Sequence, residues 1–171
     1  MEIIKEKTIA FTGNRSLTSP SGLRGTQLER AICNKLYELL EREHLENGIT
    51  SFLYGAAIGY DSLAAMVVLE LRSKYPSISL VAVIPFEGQE AKFSSEQKHM
   101  YREILKQADR SIIISPNSFS NEAYHQRNDF LIANSSKMYG YHNGKPRSGT
   151  GSTMRKAGER GVEVINLYDM M

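Results

Sequence analysis

The chain has 171 residues, 41% hydrophobic and 23% charged, with a formal net charge of +2. That length and balance exclude a multidomain assembly and a disordered chain, and argue against a nucleic-acid partner, leaving one globular domain over residues 1–171. The single cysteine, Cys33, and four scattered histidines exclude a disulfide framework and a Cys-rich zinc site, so no metal is expected.

The opening MEIIKEKTIAFTG carries charges within its apolar run and reads as a strand over Lys7–Thr12, not as a secretory signal, which gives the expectation of a cytoplasmic protein. Helical spacing of Leu28, Ile32, Leu36, Leu39 and Leu40 predicts a helix from Gly25 to Glu46 with one face on a sheet. A short apolar run, Ser51–Tyr54, predicts the second strand, and Asp61 to Tyr75 the second helix. The run AAMVVLEL inside that helix is far shorter than the roughly 20 residues needed to cross a bilayer. Strand-like runs at Ser79–Ile84, Ser111–Ser115, Lys137–Tyr141 and Val162–Leu167 alternate with helical segments at Ser94–Ala108, Asn121–Asn134 and Ser152–Gly161. This alternation predicts an α/β fold, a Rossmann-like three-layer sandwich with a mostly parallel sheet of about six strands. Right-handed crossovers then bring the carboxyl ends of all strands to one edge, where ligands bind in open α/β sheets.

Four turns at that edge carry candidate binding residues. In FTGNRSLT, Gly13 and Asn14 permit a sharp turn or a close approach, and Arg15 can pair with a phosphate or carboxylate. In YGAAIGYDS, Gly55, Ala56 and Gly59 precede a helix start suited to an anion, while Asp61 either caps that helix or binds a ribose hydroxyl. In IPFEGQEAKF, Pro85 ends a strand, Phe86 offers a stacking surface, and Glu87 and Glu90 are candidate acid/base groups.

The fourth turn, NGKPRSGTGSTMRKAGERG, packs Ser148, Gly149, Thr150, Gly151, Ser152 and Thr153 in front of a helix. Backbone N–H groups, hydroxyls and a helix start make this the chemistry of a phosphate-binding loop. Six basic residues against one acid lie between Lys137 and Arg160, so the chain's positive charge gathers around this loop. Neither named phosphate motif fits: GTGSTM lacks the last glycine of G-x-G-x-x-G, and GYHNGKP has three spacers and Pro146 where a Walker loop needs four spacers and Ser or Thr. No G-x-S-x-G elbow or catalytic triad is legible.

Taken in order, FTGNRSL, GAAIGYDSLAA, VIPFEGQEAKF, QRNDFLIANSS and SGTGSTMRKAGERG resemble the YpsA-like family of the SLOG (SMF/DprA and LOG) superfamily. The resemblance implies a site for a nucleotide or nucleotide derivative at the carboxyl edge, adds Arg127 and Asn128 to the candidates, and implies a homodimer. In the LOG branch the loop reads P-G-G-x-G-T-x-x-E; here Arg147 replaces the proline and Arg155 the catalytic glutamate. The expectation is therefore a binder of a phosphorylated nucleotide, of the kind of an ADP-ribose-like signal, acting as sensor, carrier or sequestering protein with no cofactor beyond that ligand. Hydrolysis of a nucleotide N-glycosidic bond, through Glu87 or Glu90, is the alternative, and single-stranded nucleic-acid binding a weaker one.

Overall fold

The computed structural model describes residues 2–115 and 120–171. Its elements run β1 (Thr8–Gly13), α1 (Gly25–Asn47), β2 (Ser51–Tyr54), α2 (Tyr60–Lys74), β3 (Ser79–Phe86), α3 (Ser95–Gln107), β4 (Arg110–Ser115), α4 (Asn121–Ala133), β5 (Lys137–Tyr141), α5 (Gly149–Glu159) and β6 (Glu163–Asn166). The six strands form one sheet in the order β4-β3-β2-β1-β5-β6. Every pairing is parallel, from Val81↔Arg110 at one side to Lys137↔Glu163 at the other, so the mostly parallel sheet expected from sequence is wholly parallel.

Alternation along the strands feeds two cores. Ile9, Phe11, Phe52, Tyr54, Leu80 and Ala82 face α1, α2 and α3, meeting Leu28, Ile32, Leu36 and Leu40, all fully buried. Ala10, Leu53, Val81, Val83 and Met138 face the other way and pack on Leu131 and Ile132 of α4 and Ala157 of α5. Each fully buried leucine contributes about 1.5–3 kcal/mol. Both faces are apolar, which is why the strands read as continuous runs.

The chain winds outward from β1 to β4 with helices on one face, then crosses back to place β5 on the free side of β1, with α4 and α5 on the opposite face. The reversal leaves a crevice beyond the carboxyl ends of β1 and β5, the place where open α/β sheets take ligands.

Two boundary differences bear on the site. β3 runs on through Pro85 to Phe86. β2 ends opposite Ala82, so beyond it β3 pairs with β4 alone, a setting in which a strand tolerates proline. Helix α5 starts at Gly149, three residues early, because the Ser148 hydroxyl accepts from the Gly151 amide at 2.9 Å and caps the helix. The glycine-rich stretch is a helical first turn, not an open loop.

Candidate functional site

A cavity of about 590 Å³ occupies the crevice. β1 and the turn after it contribute Phe11, Thr12, Gly13, Asn14 and Arg15 to its lining; α4 contributes Asn121, Tyr124, His125, Arg127, Asn128 and Leu131. Ala57 and Asp61 come from the turn into α2, and Ser148, Gly149, Thr150 and Thr153 from the start of α5.

At the end of β1, a Cβ on Gly13 would lie 2.3 Å from the Tyr60 ring. The glycine lets that buried ring cross beneath the strand, so packing explains it without a ligand. Asn14 joins three segments: its amide donates to the Tyr141 carbonyl (3.0 Å), its carbonyl accepts from the Tyr60 amide (3.2 Å), and its Oδ1 accepts from the Asn143 amide (3.0 Å). Arg15 is exposed and sits 6.0 Å from the centre of the Tyr124 ring, within cation–π range.

The turn after β2 holds the site's buried charge. Asp61 is 4% exposed; Oδ2 accepts from the Ala57 amide at 3.4 Å, and Oδ1 is buried without a hydrogen-bond partner among the described residues. Burial pushes its carboxyl up to about 6, against the opposing pull of Arg127, the Ala57 and Gly55 amides, and Arg15. Arg127 is itself buried: it donates to the Gly55 carbonyl, its Nε donates to Asn128 Oδ1 at 2.8 Å, and it lies 5.6 Å from the Tyr124 ring centre. Burial draws its pKa down while Asp61 holds it up. A Cβ on Gly55 would fall 2.5 Å from the Arg127 guanidinium, so this glycine makes room for the arginine, not for a ligand. Ala56 is buried with φ 58°, and Gly59, at φ 80°, abuts the Arg15 backbone. Gly55, Ala56 and Gly59 thus stand behind the cavity and outside its lining.

Beyond β3 the sequence reading needs correcting. Phe86 is buried and packs edge-on against Tyr124, 5.5 Å between ring centres, so it props the tyrosine and offers no free stacking face. Pro85, Glu87 and Glu90 do not line the cavity either. Glu87 is exposed, and Glu90 lies beside the Tyr101 hydroxyl behind the turn. The buried polar group of this turn is Gln89, which donates to the Ala56 carbonyl at 3.1 Å.

On α5, Ser148, Gly149, Thr150 and Thr153 face the cavity, whereas Gly151 and Ser152 turn to a neighbouring cleft. The Gly149 and Thr150 amides open the helix, where no intrahelical acceptor exists, and the helix dipole adds positive potential. Thr153 donates to the Gly149 carbonyl at 2.9 Å, which commits its proton within the helix. Asn121, Tyr124 and His125 were missed from sequence, yet Asn121 stands three and four residues before Tyr124 and His125, and Tyr124 three and four before Arg127 and Asn128, so the signal was present. Among the described residues, no group of histidine, cysteine or carboxylate side chains could hold a metal ion, and no helix is long and apolar enough to cross a membrane.

Residues 25–170 match the profile of YpsA, described as the YspA SLOG family. The chain belongs to this SLOG family. A UPF0398 protein of Brevibacillus brevis is 31% identical over 151 residues, covering 84% of this chain and 77% of its own. The SPbeta prophage-derived protein YoqJ of Bacillus subtilis is 27% identical over 135 residues, 72% of this chain and 78% of its own. A UPF0398 protein of Bacillus velezensis is 29% identical over 105 residues, and the match spans 58% of that relative. Among solved structures, DNA processing protein A from Streptococcus pneumoniae superposes with a TM-score of 0.63 at 19% identity, over 95% of this chain and 49% of that one. Its Helicobacter pylori counterpart, described for its single-stranded DNA binding mode, gives 0.61 at 15% identity over 94% and 64%. These structures share the SLOG member's fold.

Proposed function

We propose that the cavity binds a phosphorylated nucleotide or nucleotide derivative. The observation that carries this reading is the pairing, in one cavity, of an open helix start beside Arg15 with a buried carboxylate that has an unpartnered oxygen. An inorganic anion would need the first feature and be repelled by the second. A nucleotide suits both: its phosphate meets the Gly149 and Thr150 amides and Arg15, and a ribose hydroxyl or base amine donates to Asp61 Oδ1. In this reading residues 1–171 act as one nucleotide-binding domain of a cytoplasmic, self-associating protein that senses, carries or sequesters a small molecule.

Calorimetric titration of the protein with AMP and with adenosine tests it. AMP should bind more tightly, Thr150→Ala, which removes a hydroxyl able to donate to the charged phosphate, should weaken AMP by about 1.5–3 kcal/mol, and adenosine should be indifferent to that change. AMP affinity should fall as pH drops through about 6, where Asp61 takes up a proton. Equal binding of nucleoside and nucleotide, unaffected by Thr150→Ala, refutes the phosphate assignment.

One observation favours hydrolysis of the N-glycosidic bond as a second reading. Asp61 is the sole carboxylate lining the cavity among the described residues, and its raised pKa is what a general acid needs near neutral pH. On that reading Asp61, not Glu87 or Glu90, carries the proton. Chromatographic detection of free base from AMP, abolished by Asp61→Asn, supports hydrolysis; intact AMP after prolonged incubation rules it out for that substrate.

A further inference from the structure

The start of α5 has a second flank. A separate cleft of about 410 Å³ shares His125, Ser148 and Gly149 with the nucleotide cavity and continues past them. It adjoins the wall formed by the helix start and lies away from Asp61, which lines the first cavity alone.

The cleft's charge is one-sided. Lys145, Arg147 and Arg155 line it, and among the described residues no carboxylate does. None of the three forms a salt bridge among the described residues, whereas Lys156 of α5 and Arg160 at its C-terminal cap are both engaged by Asp129, at 2.5 and 3.8 Å. Three unneutralised cations around one concave surface repel one another and raise the local positive potential, a situation that a bound anion relieves. Arg147 is also held at φ 60°, a left-handed backbone that disfavours a side chain, directly before the capping Ser148.

We infer that the bound nucleotide carries a second phosphoryl group, which leaves the first cavity past Ser148 and lies between Lys145, Arg147 and Arg155. The ligand class is a nucleotide with a diphosphate or pyrophosphate chain. This inference rests on the nucleotide reading above: Asp61 fixes the sugar or base end, the Gly149 and Thr150 amides take the first phosphate, and the chain can then extend only toward the acid-free flank. Arg147 and Arg155 can each grip a phosphoryl oxygen pair, and Lys145 adds a point charge.

Calorimetric titrations of the full chain with AMP, ADP and the dinucleotide pApA test the assignment, in the wild type and in the double variant Arg147→Ala/Arg155→Ala. Both side chains are exposed, so the variant keeps its core. ADP should bind the wild type about 10- to 100-fold more tightly than AMP, and the double variant should lose that advantage while keeping its AMP affinity. Arg160→Ala, which removes one charge at the C-terminal cap of α5 outside the cleft, should leave the ADP-to-AMP ratio unchanged. Equal affinities for AMP and ADP, both untouched by the double variant, overturn the second subsite and leave the nucleotide cavity standing. Binding of pApA more tightly than ADP, lost in the double variant, overturns the pyrophosphate assignment and gives the cleft to a nucleic-acid chain. Failure of all three to bind the wild type overturns the nucleotide reading and the subsite with it.

Discussion

Replacing Asp61 by asparagine should make the protein more stable relative to wild type as pH rises. The carboxyl's pKa goes from an ordinary 3.8 in the unfolded chain to about 6 in the folded one. Between those values the folded state keeps a proton that the unfolded state releases. Stability therefore falls as pH rises through that window, is unaffected by this group below it, and is flat above it. The full loss is about 3 kcal/mol, at about 1.4 kcal/mol for each tenfold gap between the two proton affinities. Of this, about 2 kcal/mol falls between pH 4.5 and pH 8. Asp61→Asn keeps the shape and removes the titration. Reading how the difference between the two proteins changes with pH cancels any pH-independent cost of the substitution, and the pull of Arg127 on the anion is already contained in the folded carboxyl's pKa. The assay is urea unfolding at a series of pH values from 4.5 to 8, with the variant's advantage over wild type read at each. An advantage that grows by about 2 kcal/mol across the series is the expected result. Parallel curves would refute the claim that Asp61 is held ionised at the expense of the fold.

Three further outcomes follow from the geometry. Gly149→Val should abolish AMP binding yet leave the urea midpoint near wild type, because beyond its own helix backbone and chain neighbours a Cβ there meets no atom of the described residues within 4 Å. Gly13→Ala should cost about 1–3 kcal/mol in the same unfolding assay with or without ligand, since the added methyl is driven into the buried Tyr60 ring; a neutral substitution would show that the ring can shift. Ser148→Ala should lower stability by about 1 kcal/mol through the lost cap on α5, measured by urea unfolding, and weaken AMP binding as the Gly149 and Thr150 amides lose their alignment.

The sheet was legible because its strands are buried on both faces, so each is an unbroken apolar run between polar turns, and the carboxyl-edge turns were found once parallel order was granted. Arg15, Asp61, Ser148 and Thr150 were correctly brought to one place by that logic. Burial was not legible. Gly13 and Gly55 look like ligand-facing glycines from sequence, but the atoms that need their missing side chains belong to Tyr60 and Arg127, 47 and 72 positions away. Phe86 failed for the same reason: an aromatic after a strand is free to stack only if no partner such as Tyr124 already covers it. Gly151 and Ser152 sit in the same short run as Thr150 and Thr153, and only the helical turn that begins at Ser148 separates their faces.

The return of the chain to the free side of β1 also sets when the site can exist. Residues up to 115 supply β1 to β4 and the turn carrying Asp61, whereas α4, β5 and α5 all come later in the sequence. Asn14 waits on Tyr141 and Asn143 for two of its hydrogen bonds, and Arg127 must reach back to the Gly55 carbonyl. On the proposed reading, a chain emerging from the ribosome therefore has four of its six strands before it has the helix start that would meet a phosphate. On that reading a ligand cannot guide the early steps of folding, and its binding would report that the last third of the protein has docked.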